Sequence, residues 1–487
     1  MSRTQAKGAS IRFGTDGWRA LIAGEFTFEN VERVAQAYAD YLLQTRDDSE
    51  RTGAPERLRT PRVVVGFDRR FLSEEFAVRA AEVLAGNGIG VTLFEGDVPT
   101  PLVSWAVRES GADGGVVITA SHNPPLFNGF KIKAPWGGSA TAETTVGVEA
   151  LVGAKAPQRG RLSAQSRGGL DQFVKSYREQ IAAYVDLERI RATPARVVID
   201  PMHGTGGRWV ESFLRGGRLE VETIRAERDP LFGGVAPEPI NRNLAPLKRQ
   251  VLDGGALVGL ATDGDADRVG AVGDTGATMT MHEVVPLILL HLARERKMGG
   301  GIVRTFSQSV LLKRIAAAHD LPIYETPIGF KYVADLMLRK EILLGAEESG
   351  GIGVRGHIPE RDGILNSLLF LEAIIASGKK PTEMVREMHR EFGEFYFGRR
   401  DLHTEVARGL SLVSALAAAP PGEVAGNPVR SVETLDGTKL IFDDESWLLF
   451  RQSGTEPVLR IYAEATSAAK MEALLDGGSA LAASIRH

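Results

Sequence analysis

The sequence contains no cysteine. That excludes disulfides, thiolate nucleophiles and zinc–thiolate centres. It also lacks any uninterrupted apolar run near the ~20 residues that a membrane-spanning helix needs. The best run, residues 284–290, has Pro286 inside it and reads as part of a buried helix. Residues 1–10 are polar and carry no apolar stretch of signal-peptide length, so a cytoplasmic location is expected. A charge excess of one sign is missing too: 58 Lys and Arg face 62 Asp and Glu, a net charge of −4. The surface as a whole is therefore no nucleic-acid footprint, and neither nucleic acid nor membrane is expected as a partner. An anionic small molecule stays open, because it needs only a locally positive cleft.

What is present is a long, ordinary globular composition. At roughly 150 residues per domain, 487 residues suggest three or four domains. Val63-Val64-Val65, Val91-Thr92-Leu93-Phe94 and Val116-Val117-Ile118 read as strands, with helical periodicity between them, which indicates a parallel α/β layout. The pattern recurs at Val197-Val198-Ile199, which runs into Asp200-Pro201-Met202-His203-Gly204-Thr205, and more faintly at Ile302-Val303. Phe173, Tyr177, Ile181 and Tyr184 mark one face of a helix opening the second unit. The tail differs: short strands at 429–434, 439–442, 447–450 and 458–463 are joined by tight turns such as Asp436-Gly437. The expected fold class is α/β, three mixed α/β domains followed by a C-terminal α+β domain with an antiparallel sheet. The expected boundaries are 1–160, 161–277, 278–390 and 391–487.

Five segments carry chemistry. Thr119-Ala120-Ser121-His122-Asn123-Pro124 sits at the carboxyl end of a buried strand, where open α/β sheets bind ligands. Ser121 is a candidate nucleophile or phosphate carrier and His122 a candidate to position it. A polar turn ended by Pro124 is the structural alternative. Asp263, Asp265 and Asp267 alternate on a Gly-containing loop, and three such carboxylates suit a hard divalent cation. The spacing starts like an EF-hand loop but lacks its later glycine and glutamate, so magnesium holding a phosphate fits better than calcium. A solvated acidic turn is the alternative. Glu347-Glu348-Ser349-Gly350-Gly351 offers acceptors for sugar hydroxyls. Arg451-Gln452-Ser453-Gly454-Thr455 offers a guanidinium fork, hydroxyls and backbone N–H groups for a phosphate. Residues 13–20, with Arg19 on a Gly loop, add a weaker signal of the same kind. A plain turn is the alternative for each of these three.

In this order, across nearly the whole chain, the five segments resemble the α-D-phosphohexomutases: phosphoglucomutases, phosphomannomutases and phosphoglucosamine mutases. The resemblance implies four domains around a central cleft. It implies that Ser121 is the phosphoserine exchanging a phosphoryl group with substrate, and that Asp263, Asp265, Asp267 and the Ser121 phosphate hold Mg2+. Lys131 would serve proton transfer, and Arg19 and Arg268 would contact the transferring phosphoryl group, beside His122. Glu347, Ser349, Arg361 and Gly329 would bind the sugar. Arg451, Ser453, Gly454 and Thr455 would grip the phosphate that does not react. A hexose 1,6-bisphosphate would be both intermediate and activator, small hexose phosphates the only partners, and the chain a monomer or homodimer. Gly351 stands where one branch carries a histidine, which leaves Lys131 as the candidate for proton transfer. Ala346 replaces a frequent glycine, and Arg361 stands where many glucose-type members carry lysine. The Glu-Glu-Ser-Gly-Gly form favours glucose, with mannose or both sugars as the alternative. A phosphatase or bisphosphate synthase on the same fold is a more distant reading, as is a non-catalytic sugar-phosphate binder.

Overall fold

The computed structural model describes residues 11–14, 17–51, 60–453 and 457–484. They form two compact units: the residues up to Gly270 with Gly356–Leu368, and Ala271–Arg355 with the residues from Leu369 on. Among the described residues no helix is long and apolar enough to cross a membrane.

The first unit carries two sheets. One contains β1 (Trp18–Leu21), β2 (Arg62–Phe67), β3 (Gly90–Leu93), β4 (Gly114–Ile118) and β5 (Phe127–Lys133), in the order β1-β5-β4-β2-β3. β2 runs parallel to β3 and β4, and β5 turns back antiparallel on β4. Val63, Val65, Val116 and Ile118 belong to one core cluster with Phe76, Ala80 and Leu84 of the helix Ser73–Gly86. Strands buried on both faces explain why they read as unbroken Val/Ile runs rather than as an alternation. The other sheet contains β6 (Arg196–Asp200), β7 (Glu220–Thr223), β8 (Val258–Thr262) and the start of β9 (Val269–Val272), in the order β9-β8-β6-β7. Here β6 is parallel to β7 and β8.

The second unit opens with β10 (Thr278–Met279), paired with the end of β9. Next come β11 (Gly301–Thr305), β12 (Ile323–Thr326), β13 (Ile342–Ala346) and β14 (Ile352–Val354), in the order β12-β11-β13-β14. β11 is parallel to β12 and β13, and β14 is antiparallel to β13. The recurrence in the sequence is therefore a recurrence of topology. With the edge strand β1 set aside, the first strand of each of the three sheets lies between the second and the third, and the fourth flanks the third.

The tail is a six-stranded antiparallel sheet of β15 (Tyr396–His403), β16 (Glu423–Val424), β17 (Asn427–Glu433), β18 (Thr438–Phe442), β19 (Trp447–Gln452) and β20 (Val458–Ala465). Its order is β15-β20-β19-β18-β17-β16. The helices Val406–Ala418 and Ala468–Ser484 bury Leu412, Leu416, Leu474 and Leu475 against it. Three mixed α/β sheets followed by an α+β domain is the architecture the sequence leads one to expect.

One stretch departs from linear segmentation. Gly356–Leu368 falls within the expected domain 278–390, yet it packs with the first unit. Polar groups explain it. Asp362 accepts from the Tyr177 hydroxyl at 2.8 Å and pairs with His357 at 2.9 Å. Glu360 takes the Lys133 ammonium at 2.7 Å, with both side chains fully buried. Hydrophobic periodicity carries no trace of such links.

Within the second unit one buried carboxylate makes several of the ties that hold the C-terminal sheet. Glu464 on β20 is fully buried; it pairs with His282 at 2.9 Å and accepts from the Val310 N–H and the Trp447 indole, each at 2.9 Å. Burial would raise its pKa. The attraction of His282 and the hydrogen bonds from His282, Ser309 and Val310 outweigh that and hold it down at about 2. A carboxyl lowered in the folded state adds stability above its unfolded pKa and loses it as pH falls toward the folded one. Urea midpoints of the wild type are therefore expected to fall between about pH 4.5 and about pH 2. Glu464→Gln should lower the midpoint at pH 7 and flatten the dependence in that window. An equal acid decrement in both proteins would show that Glu464 is not responsible.

Candidate active site

Ser121 follows β4 directly, and its φ of 52° lies in the left-handed region that a serine rarely occupies. The loop around it is held by a side chain that sequence reasoning passed over. The fully buried Arg70 donates to the carbonyls of Ser121 (2.6 Å), Asn123 (2.7 Å), Pro124 (2.8 Å) and Phe127 (3.0 Å), and through Nε to Asp68 at 3.0 Å. Asp68 also accepts from the Thr119 hydroxyl at 2.7 Å, and Thr119 Oγ1 in turn accepts the Ser121 N–H at 2.9 Å. A planar five-donor guanidinium is the one side chain able to gather four carbonyls and a carboxylate at once. Such over-determination is what keeps a strained backbone in place.

The Ser121 hydroxyl donates to Asp263 Oδ2 at 2.7 Å, while His122 Nδ1 stands 3.4 Å away. The direct partner of the hydroxyl is thus an aspartate of the acidic loop. Gly264 makes this approach possible: a Cβ there would lie 2.5 Å from the Ser121 carbonyl oxygen. The loop is backed by the segment after β6. The Thr205 N–H donates to the Gly264 carbonyl at 3.0 Å, and a Cβ on Gly204 would lie 2.7 Å from that same oxygen.

Asp263, Asp265 and Asp267 are fully buried, and their ligand atoms lie within 4.8 Å of one another. Lys131, brought in by the antiparallel return of β5 opposite Val117, reaches Asp265 Oδ2 at 2.8 Å and Asp267 Oδ2 at 3.1 Å. Thr100 donates to the same Asp265 oxygen at 2.7 Å, and Arg361 pairs with Asp267 Oδ2 at 3.0 Å. The Arg268 N–H donates to Asp263 Oδ1 at 3.1 Å, and its side chain is 3.9 Å from Asp267 Oδ1. Arg19 donates to the Asn123 side chain at 2.6 Å. Ser121, His122, Lys131, Arg19, Arg268, Arg361 and the three aspartates thus all belong to the first unit.

The charges are unbalanced in an informative way. Burial, then the charges of Asp265 and Asp267, push the Asp263 carboxyl well above its usual value, despite Arg268 and the Ser121 hydrogen bond. Burial also opposes ionisation of Asp265, but the charge and hydrogen bond of Lys131, with Thr100 and Arg361, hold it below the ordinary range. Asp265 Oδ1 and Asp267 Oδ1 are buried with no hydrogen-bond partner. Orphaned carboxylate oxygens are costly and call for a partner. Three hard oxygen donors beside a hydroxyl make a donor set that fits magnesium.

The remaining candidates lie in the second unit. Glu347 and half-buried Ser349 follow β13, where the Glu347 N–H donates to the Gly351 carbonyl at 2.9 Å. Gly329, with φ 138°, caps the helix Phe330–Arg339. Arg451 is the next-to-last residue of β19, beside Asp436, and Ser453 is buried. Gly454 and Thr455 lie outside the described residues.

Comparison with known proteins shows the family. The sequence matches all four phosphoglucomutase/phosphomannomutase domain families: alpha/beta/alpha domain I over residues 10–159, II over 175–276, III over 281–392 and the C-terminal domain over 412–477. A Thermococcus kodakarensis protein named phosphoglucomutase/phosphomannomutase is 33% identical over 96% of this chain and 97% of its own. A phosphoglucosamine mutase of Erythrobacter litoralis is 30% identical over 95% of both chains. Among solved structures, a putative phosphomannomutase from Thermus thermophilus superimposes with a TM-score of 0.84 at 37% identity, over 97% of this chain and 99% of that one.

Arg70→Met would leave Asp68 buried without its cation, a change that costs about 3–5 kcal/mol. Denaturant unfolding of the two proteins should show that loss in the first unit. A difference below about 1 kcal/mol, the scale of an exposed pair, would contradict the buried clamp.

Proposed function

The chain belongs to the phosphoglucomutase/phosphomannomutase family and is thus a phosphohexomutase, and we propose that it interconverts glucose 1-phosphate and glucose 6-phosphate through a phosphorylated Ser121. The observation carrying this is the Ser121 hydroxyl 2.7 Å from Asp263, beside two unpartnered oxygens of Asp265 and Asp267.

In the proposed reaction Asp263, Asp265, Asp267 and the Ser121 phosphate would hold Mg2+, which would offset charge on the phosphoryl oxygens. The hexose hydroxyl attacks the phosphorus, the Ser121 Oγ–P bond breaks, and the proton given up by the hydroxyl ends on the freed Ser121 Oγ. A glucose 1,6-bisphosphate forms, turns over and returns its other phosphate to Ser121, and the same bisphosphate serves as activator. Phosphoryl transfer of this kind depends mainly on positioning and charge stabilisation. Arg19, steadied by Asn123, and Arg268 bring positive charge to the phosphoryl group. Lys131 is the group for the proton of the reacting hydroxyl, and His122 orients the serine. Arg361 keeps Asp267 in place. Glu347, Ser349 and Gly329 receive the sugar, and Arg451, Ser453, Gly454 and Thr455 the far phosphate. Hexose phosphates are the partners, and the protein works in the cytoplasm as a monomer or homodimer.

The relatives favour a second reading at the sugar. Names among them include phosphomannomutase and phosphoglucosamine mutase as well as phosphoglucomutase. Turnover of glucose 1-phosphate, mannose 1-phosphate and glucosamine 1-phosphate, each with a trace of the matching bisphosphate, decides among them. Glucose is expected to give the highest kcat/KM; a clear lead for another sugar reverses the assignment. Ser121→Ala should abolish isomerisation and still bind glucose 6-phosphate. Full activity in that variant would remove Ser121 from the reaction. Chelation should stop turnover and added Mg2+ should restore it, whereas activity unaffected by chelation would rule the metal out.

A further inference from the structure

Asp436 sits in the turn between β17 and β18 and takes no part in the functional reading above. Two contacts set it apart. Its Oδ2 accepts from Arg451 Nε at 2.9 Å and from the Ile328 N–H at 2.8 Å. Arg451 is the guanidinium assigned to the far phosphate. Ile328 directly precedes Gly329, the N-cap of the helix Phe330–Arg339, which is assigned to the sugar. One carboxylate oxygen therefore joins two substrate-binding candidates that are far apart in sequence.

The placement is built in. Thr438 pairs with Phe450, so Gly437 lies against the start of Arg451. Gly437 has φ 103°, and a Cβ on it would stand 2.3 Å from the Phe450 carbonyl oxygen and 3.3 Å from Arg451 Cα. Only glycine lets the turn close this tightly, and the tight turn puts Asp436 beside the Arg451 side chain. The sheet bearing both residues is itself fixed. Glu464 ties it to His282 and Val310, and the buried Lys439 donates to the Phe306 carbonyl at 2.8 Å.

We propose that Asp436 is the positioning residue of the far-phosphate grip: by holding Arg451 Nε it aims the terminal nitrogens at the phosphate and registers them against the Gly329 segment. The inference rests on the assignment of Arg451 to phosphate. Guanidinium–phosphate pairing is a fork with a fixed plane, so a guanidinium free to rotate loses both geometry and entropy on binding. A neighbouring carboxylate that takes Nε settles the rotation in advance.

The test is a double-mutant cycle on the full chain. Affinity for glucose 6-phosphate is measured by calorimetry in a Ser121→Ala background, and KM and kcat for glucose 1-phosphate with Ser121 intact. Asp436→Asn, which keeps an acceptor for the Ile328 N–H, should weaken glucose 6-phosphate binding about tenfold, as expected when a charge-assisted hydrogen bond is lost. KM should rise by a similar factor, with kcat changed less. In an Arg451→Ala background the same substitution should have no further effect on binding, since residues acting through one contact are not additive. Additive losses, or binding unchanged in Asp436→Asn, overturn the proposal. Asp436→Ser, with its melting temperature compared to the wild type, guards against a folding defect. If the wild type itself fails to bind glucose 6-phosphate, the functional assignment falls and this inference with it. If the wild type binds and the variants do not differ, only the inference falls.

Discussion

Three aspartates buried together are a costly arrangement, and several side chains of the first unit answer to it. Like charges within 4.8 Å and out of water raise one another's energy unless cations or donors offset them. Lys131, Arg361 and Thr100 cover one oxygen each of Asp265 and Asp267. Ser121 and the Arg268 N–H cover both oxygens of Asp263. What stays uncovered is one inward oxygen on each of two aspartates. A fold that left these groups to repel one another would be unstable; a fold that neutralised all of them would have no affinity for a cation. The arrangement lies between those limits, which suits a site that works only when metal and phosphate arrive together.

The same constraint gives meaning to the threefold recurrence of topology. With β1 set aside, the loop between the third and fourth strands of each α/β sheet carries the candidate site residues: Ser121 after β4, the aspartates after β8, Glu347 and Ser349 after β13. A strand edge that ends in a loop at the carboxyl side is where open α/β sheets receive ligands. The fourth strand does separate work. β5 returns antiparallel and delivers Lys131 into the acidic cluster, a placement that depends on register, because one residue of slip would turn the side chain to the other face. Repetition of one scaffold thus presents three candidate groups in equivalent places: a serine, a carboxylate cluster and a Glu-Ser loop.

Much of this was legible in the sequence. Val63–Val65, Val116–Ile118 and Val197–Ile199 announced buried strands, and the alternating carboxylates of 263–267 announced a convergent carboxylate cluster, because these signals are local. The groups that escaped are those whose meaning is not local. Arg70 reads as one more charge in a loop until its four carbonyl partners, some fifty residues away, are seen. Thr100 meets Asp265 from 165 positions off. Gly204 and Thr205 lay in a segment noted only as a strand–loop repeat, although they buttress Gly264. Buried pairs such as Lys133–Glu360 pack the stretch Gly356–Leu368 with the first unit, a link that no local pattern in the sequence announces. Hydrophobic patterning predicts which faces are buried; it is silent about which buried polar groups find each other.

The breadth of names among the relatives follows from the chemistry proposed. A bisphosphate that must present either end to Ser121 requires a far grip that reads phosphate and ignores the sugar, and a guanidinium with backbone N–H groups does so because a phosphate looks alike from several sides. Sugar identity would then fall to the few groups that meet hydroxyls, a role proposed for Glu347 and Ser349. Glucose and mannose differ only in the orientation of one hydroxyl. A site built to hydrogen-bond that hydroxyl rejects its epimer strongly, because a buried polar group is left unpaired, whereas a site that leaves it in water discriminates hardly at all. Proteins that match this chain over 95% of its length and more, yet bear names of different hexose phosphate mutases, are what such a division produces. The costly buried charge constrains the scaffold, and the contact at one carbon is left free to vary.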